Sequence, residues 1–191
     1  QFIHVLGISK ISDFFMLSFF QKMVNKYHGG RIQISTDSSS PGLYPVYGTY
    51  LHSPQLSKMT FTDLYFPKGE NLPYNADDLV PNPLGHPVSE GMTFGEVSNY
   101  KGPVTMKMTL NNLFVFNETV KQVEEIVKCH NELLQTVVPR DFYAVLMSME
   151  EMVKDPDKAI HIYNKNRQLY DKFGGSTRDL VNNEVFNQFF E

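Results

Sequence analysis

The stretch Ile32-Gln33-Ile34-Ser35-Thr36-Asp37-Ser38-Ser39-Ser40-Pro41 sets an acidic residue just past a short β-type segment. If that segment is a parallel strand, Asp37 stands at its C-terminal end, the rim where α/β barrels keep their reacting groups. The plainer role is local: an Asp ahead of three serines can close an Asx-turn or cap a short helix. Other chemistry-bearing residues are scattered. His86 lies in Leu84-Gly85-His86-Pro87-Val88-Ser89 with no partner at metal-ligand spacing, so a surface histidine is expected there. Cys129 and His130 are adjacent in what reads as a helix, where neighbouring side chains diverge, and a structural role is expected for both.

These positions need elements to hold them. Residues 2–8 form a nearly continuous apolar run closed by Gly7-Ile8-Ser9, the pattern of a buried parallel strand. A helix should follow, capped by Ser12-Asp13 and ended by Gly29-Gly30. Phe15, Phe19 and Met23 repeat on its apolar face, which Phe14, Leu17, Phe20 and Val24 widen. Residues 31–35 read as a second strand, completing a β-α-β unit of the kind that builds parallel sheets. From Thr36 to about Pro103 the prolines Pro41, Pro45, Pro54, Pro67, Pro73, Pro81, Pro83 and Pro87 break any long element. That region should hold loops and a hairpin, with short strands at residues 47–51 and 59–66. Leu113, Phe116, Val120, Val123, Val127 and Leu134 then alternate in steps of three and four, predicting a helix over residues 112–136. Beyond Arg140, two or three further helices are expected, with Phe142, Leu146, Met149 and Val153 on the apolar face of the first.

Composition narrows the classes. The chain has 191 residues, 41% of them hydrophobic, enough to bury a core, whereas an α/β barrel usually takes about 250. The single cysteine excludes an internal disulfide and a cysteine-based zinc cage within one chain, and suggests a cytoplasmic protein. The longest apolar stretch is far short of the roughly 20 residues a membrane-spanning helix needs, so no membrane partner is expected. A net charge of −4 argues against a free-standing nucleic-acid binder; any such contact must be local or shared.

Two motifs carry a family resemblance. His4-Val5-Leu6-Gly7 is followed by a helix and then by Asp37, with Pro41 four positions on and Gly48 in register. Thr109-Leu110-Asn111-Asn112, with Phe114 and Phe116, resembles the Thr-x-His-Asn start of a barrel-closing helix, with Asn111 in place of the His. In that order and spacing the chain resembles the tRNA-guanine transglycosylases over roughly residues 2–136. The resemblance implies an α/β fold that is the C-terminal portion of a (β/α)8 TIM-like barrel with a β-hairpin and loop insertion. Residues 1–138 would belong to the barrel and residues 139–191 would form an extra helical C-terminal tail. It implies that Asp37 is the nucleophile, attacking an anomeric carbon to form a glycosyl-enzyme that an incoming base then displaces. Leu6 would be an apolar platform against the base and Gly7 backbone with room for close approach, although an apolar residue and a glycine closing a strand are also ordinary packing features. The target base must leave its stack to reach such a pocket.

The departures from the family shape the expected substrate. The Cys-x-Cys-Pro-x-Cys zinc site of bacterial and archaeal members corresponds to residues 84–89, where only Pro87 is kept, so no metal and no cofactor are expected. Leu43 and Val46 replace two arginines that read the anticodon, beside Tyr44 and Tyr47. The tyrosines could bind substrate by stacking on bases of a single strand, or fill a packed loop. The family's general acid/base aspartate and its Gly-rich purine-framing segment lie earlier in the barrel, so a preceding segment of about 200 residues or a partner subunit is expected. Lys154, Lys158, Lys165, Arg167, Lys172 and Arg178 in the tail are interspersed with acids, as on an ordinary solvated surface. The expectation is a glycosyltransferase that replaces guanine in nucleic acid, DNA in preference to tRNA, with a 7-deazaguanine such as preQ0. The alternatives are a tRNA-guanine transglycosylase, a non-catalytic partner subunit, and an unrelated structural or interaction protein.

Overall fold

The computed structural model describes residues 2–66, 74–99 and 101–174. Pro67, Pro73, Arg178 and the last part of the expected tail lie outside the described residues. The chain opens as β-α-β: strand β1 (Phe2–Val5), helix α1 (Ile11–His28) and strand β2 (Gln33–Thr36). The two strands pair in parallel, Phe2 opposite Gln33, Ile3 opposite Ile34, His4 opposite Ser35 and Val5 opposite Thr36. Gly29 ends α1 in the left-handed conformation, φ +69°, which costs glycine little. The start of α1 departs from expectation. Lys10 is the N-cap with no side-chain cap, and Ser12 is buried inside the first turn, donating its hydroxyl to the Phe173 carbonyl at 3.1 Å. A distant partner has taken the hydroxyl that the local sequence offered to the helix end.

After β2, the one-turn helix α2 (Ser40–Leu43) runs into a 3-10 turn (Tyr44–Tyr47) that closes at Gly48. Strands β3 (Thr49–Gln55) and β4 (Thr60–Tyr65) follow as an antiparallel hairpin, irregular between Leu51 and Ser53. Helix α3 (Phe94–Ser98) begins with a capping box between Thr93 and Glu96. Helices α4 (Pro103–Lys128), α5 (Asn131–Val137), α6 (Arg140–Lys154) and α7 (Ala159–Gly174) complete the described chain. The architecture is mixed α/β, and among the described residues no helix is long and apolar enough to cross a membrane.

The helix expected over residues 112–136 is two helices. Pro103 presets the helical φ in the first turn of α4, so the helix starts earlier than its apolar stripe. It stops at Lys128 because Lys22 of α1 donates to the carbonyls of Val127 (2.7 Å) and Cys129 (2.9 Å), satisfying end groups that would otherwise propagate the helix. Cys129 and His130 therefore form the link between α4 and α5 rather than a pair within a helix, and Cys129 is exposed.

The main core joins Phe15, Phe19 and Met23 of α1 to Phe116 and Val123 of α4 and to Phe142 and Leu146 of α6, so the first helices of the tail share one core with the β-α-β unit. A second cluster, including Tyr50, Phe66, Phe94 and Met108, fills the space under the hairpin. The hairpin is fastened to α4 by two buried amides. Asn112 accepts from the Leu51 N–H (2.9 Å) and donates to the Thr49 carbonyl (3.0 Å), while Asn111 donates to the Leu51 carbonyl (2.6 Å). Asn112→Ala strips both bonds and leaves the buried Leu51 N–H without its acceptor. The expected loss is about 2–3 kcal/mol, read as a lowered midpoint in urea at unchanged slope. A change within roughly 0.5 kcal/mol contradicts this account of the hairpin.

Candidate functional site

Asp37 leaves β2 at the C-terminal ends of both parallel strands. Its N–H donates to the Val5 carbonyl (3.3 Å) and its carbonyl accepts from the Ile8 N–H (3.1 Å), so the backbone clasps the chain emerging from β1. The carboxylate is 60% exposed, and Oδ1 accepts from the Gly7 N–H at 3.3 Å. Gly7 turns there with φ +74°, a conformation that strains any residue with a Cβ. His4 brings Nε2 to 3.8 Å from Asp37 Oδ2, while its Nδ1 lies 2.8 Å from Ser35 Oγ. The local turn falls to another side chain: Ser38 Oγ accepts from the Ser40 N–H at 3.2 Å, and α2 has no side-chain cap. The Asp37 carboxylate reaches across to the neighbouring strand's exit instead.

Leu6, the residue before Gly7, is 70% exposed. The tyrosines after α2 separate. Tyr44 turns inward against Phe116, ring centroids 6.2 Å apart, and burial, opposed by hydrogen bonds to Ser40 and Ser9, pushes its phenol up. Tyr47 is 66% exposed, next to exposed Leu43 and Val46. Asp37 and Gly7 are thus brought together, Leu6 adjoins them only as the residue before Gly7, Tyr47 is exposed, and Tyr44 packs on the core. Sequence reasoning gave no role to His4 and Ser35. The signal was present in parallel pairing: residues two apart share a face, so Ser35 and Asp37 lie on one side, and His4 is opposite Ser35.

His86 is half-buried rather than on the open surface, stacked on Phe114 with centroids 4.4 Å apart, and its buried Nδ1 has no hydrogen-bond partner among the described residues. Among those residues no group of three or more His, Cys, Asp or Glu could hold a metal ion. A cavity of 540 Å³ opens between α1, β2 and α4, lined by Leu17, Gln21, Ile34, Val120 and Val127 among others; Asp37 does not line it.

Burial pushes the imidazoles of both His86 and His52 down, the latter against the opposing effect of Asp63. A lowered folded-state pKa means that the unfolded chain binds the extra protons, so this stability is present above the unfolded histidine value of about 6.5 and is lost as the pH falls below it. For Glu150 burial alone would raise the carboxyl, but Lys26 and Tyr27, each at 2.7 Å, outweigh it and hold it low. Its contribution fades only below the ordinary carboxylate range. The melting temperature is therefore expected to fall between pH 7 and 5.5, and the double variant His52→Gln/His86→Gln to flatten that fall. An equal slope in the variant contradicts the assignment.

The class defined by these features is a mixed α/β chain with a solvent-facing carboxylate at the exit of a parallel strand pair. No protein-family model, curated protein or solved structure matches it.

Proposed function

We propose that the chain is the C-terminal part of a (β/α)8-barrel base-exchange enzyme similar to the tRNA-guanine transglycosylases, acting on guanine in DNA, with Asp37 as nucleophile. The observation that carries this reading is the Asp37 carboxylate at the C-terminal ends of parallel strands, exposed and bonded to the Gly7 N–H. One carboxylate oxygen attacks C1′ of the target nucleotide, the bond to the purine nitrogen breaks, and its electron pair leaves with the base. An incoming 7-deazaguanine then displaces the ester, with configuration retained after two displacements. The departing base takes its proton from the family's acid/base aspartate, and the ring N–H proton of the incoming base returns to it; in this reading that aspartate is supplied by polypeptide beyond these residues.

Two further observations support the barrel. Parallel sheets are ordinarily covered on both faces, yet β1 is largely exposed, with Phe2 74% open to solvent. The cavity beside β2 likewise offers an apolar wall to additional packing. The residues at the family's zinc position do not fit that ion. Residues 84–89 hold no thiolate, and their single imidazole, His86, is stacked on Phe114; Ser89 is already committed to Asn111, to which it donates at 2.6 Å, so one nitrogen ligand stands where zinc takes four thiolate or imidazole donors. No step is routed through a metal. Exposed Leu43 and Val46, at the positions where the family uses arginines for the anticodon, with exposed Tyr47 beside them, favour DNA in this reading. The test is exchange of labelled guanine in the complete protein. Label entering duplex DNA supports the reading, label entering tRNA alone supports the tRNA-directed enzyme, and label entering neither contradicts both.

A further inference from the structure

We propose that His4 is a positioning residue for the Asp37 carboxylate, itself held in one tautomer by Ser35; the inference rests on the reading of Asp37 as nucleophile. Strand register assembles the three side chains. His4 is paired with Ser35, and the two-residue period of an extended chain returns Asp37 to the Ser35 side. Ser35 Oγ lies 2.8 Å from His4 Nδ1. With the hydroxyl as donor, Nδ1 is the acceptor and the ring proton sits on Nε2, the nitrogen facing Asp37 Oδ2 at 3.8 Å. That separation is an electrostatic contact, longer than a hydrogen bond, and both side chains are half exposed or more, at 50% and 60%, so small rotations close it.

The carboxylate is thereby addressed from two directions. Oδ1 is tied to the Gly7 N–H and Oδ2 faces an imidazole N–H, an arrangement that sets the carboxylate plane relative to the strand ends once the His4 contact closes. An in-line displacement puts the leaving base on the far side of the sugar carbon from the nucleophile. His4, on the nucleophile's side, therefore orients Asp37 and passes no proton to that base. Misplacing a reacting group by about 1 Å costs up to roughly a hundredfold in rate.

The experiment measures guanine exchange by the complete protein on a DNA oligonucleotide for His4→Leu, His4→Gln, Ser35→Ala and Asp37→Asn. The expected results are a kcat lowered about 10- to 100-fold in His4→Leu with KM nearly unchanged, substantial recovery in His4→Gln, which keeps an N–H donor, and an intermediate value in Ser35→Ala. Wild-type kcat in His4→Leu beside an inactive Asp37→Asn overturns the role of His4 and leaves the nucleophile standing. Full activity in Asp37→Asn overturns the nucleophile and the positioning together. Nitrogen-15 shifts of the His4 ring give a check independent of turnover: proton on Nε2, redistributed in Ser35→Ala, is expected, and a ring protonated on Nδ1 alone overturns the inference.

Discussion

Asp37→Asn is expected to abolish base exchange in the complete protein, lowering kcat by roughly ten-thousandfold or more, as removal of a covalent nucleophile does. The amide keeps the shape of the side chain and can still accept from the Gly7 N–H, so the local backbone is undisturbed. Because the carboxylate is exposed and engages the chain through one backbone hydrogen bond, the melting temperature should stay within the scatter of an ordinary surface substitution. Loss of activity at constant stability distinguishes a nucleophile from a structural residue. A partner subunit supporting a catalytic chain elsewhere would lose little activity, and that result removes the enzymatic assignment from this chain.

Phe116→Ala should be the most damaging change to stability. Phe116 is buried where α4 meets both α1 and the hairpin: Phe61 stacks on it at 4.9 Å, Phe14 meets it edge-on at 5.6 Å, and Tyr44 lies at 6.2 Å. Truncation leaves a cavity bounded by three aromatic rings on three different elements, which cannot all collapse into it. A cost of about 3–5 kcal/mol is expected, lowering the melting temperature by roughly 10 °C for a chain of this size. A loss under about 1 kcal/mol would mean that these rings do not form the junction described, since buried Phe→Ala changes rarely cost so little.

Local features were read correctly from sequence where local physics decides them. The apolar face of α1 follows from the spacing of Phe15, Phe19 and Met23, and its end from Gly29, because helix periodicity and left-handed backbone need no distant partner. Asp37 at a strand exit was legible for the same reason: an extended segment followed by serines and a proline ends where it ends. What escaped depends on contacts far apart in the chain. Ser12 fails to cap α1 because Phe173 offers its carbonyl, and α4 breaks at Cys129 because Lys22 takes the last acceptors. Asn111 and Asn112 were legible as part of a motif, but not as the fastening of β3, which exists only once the hairpin is docked. Tyr44 and Tyr47 stand at the two ends of the 3-10 turn, a spacing that by itself would put both on one face, and only packing against Phe116 of α4 takes Tyr44 inward while Tyr47 stays exposed.

The most direct measurement is peptide mapping of the complete protein after denaturation in the presence of a guanine-containing DNA oligonucleotide. A covalent sugar ester on the carboxylate of Asp37, absent in Asp37→Asn and discharged by added 7-deazaguanine, is the predicted result. An adduct on a different carboxylate, or turnover with no adduct at any stage, contradicts the account.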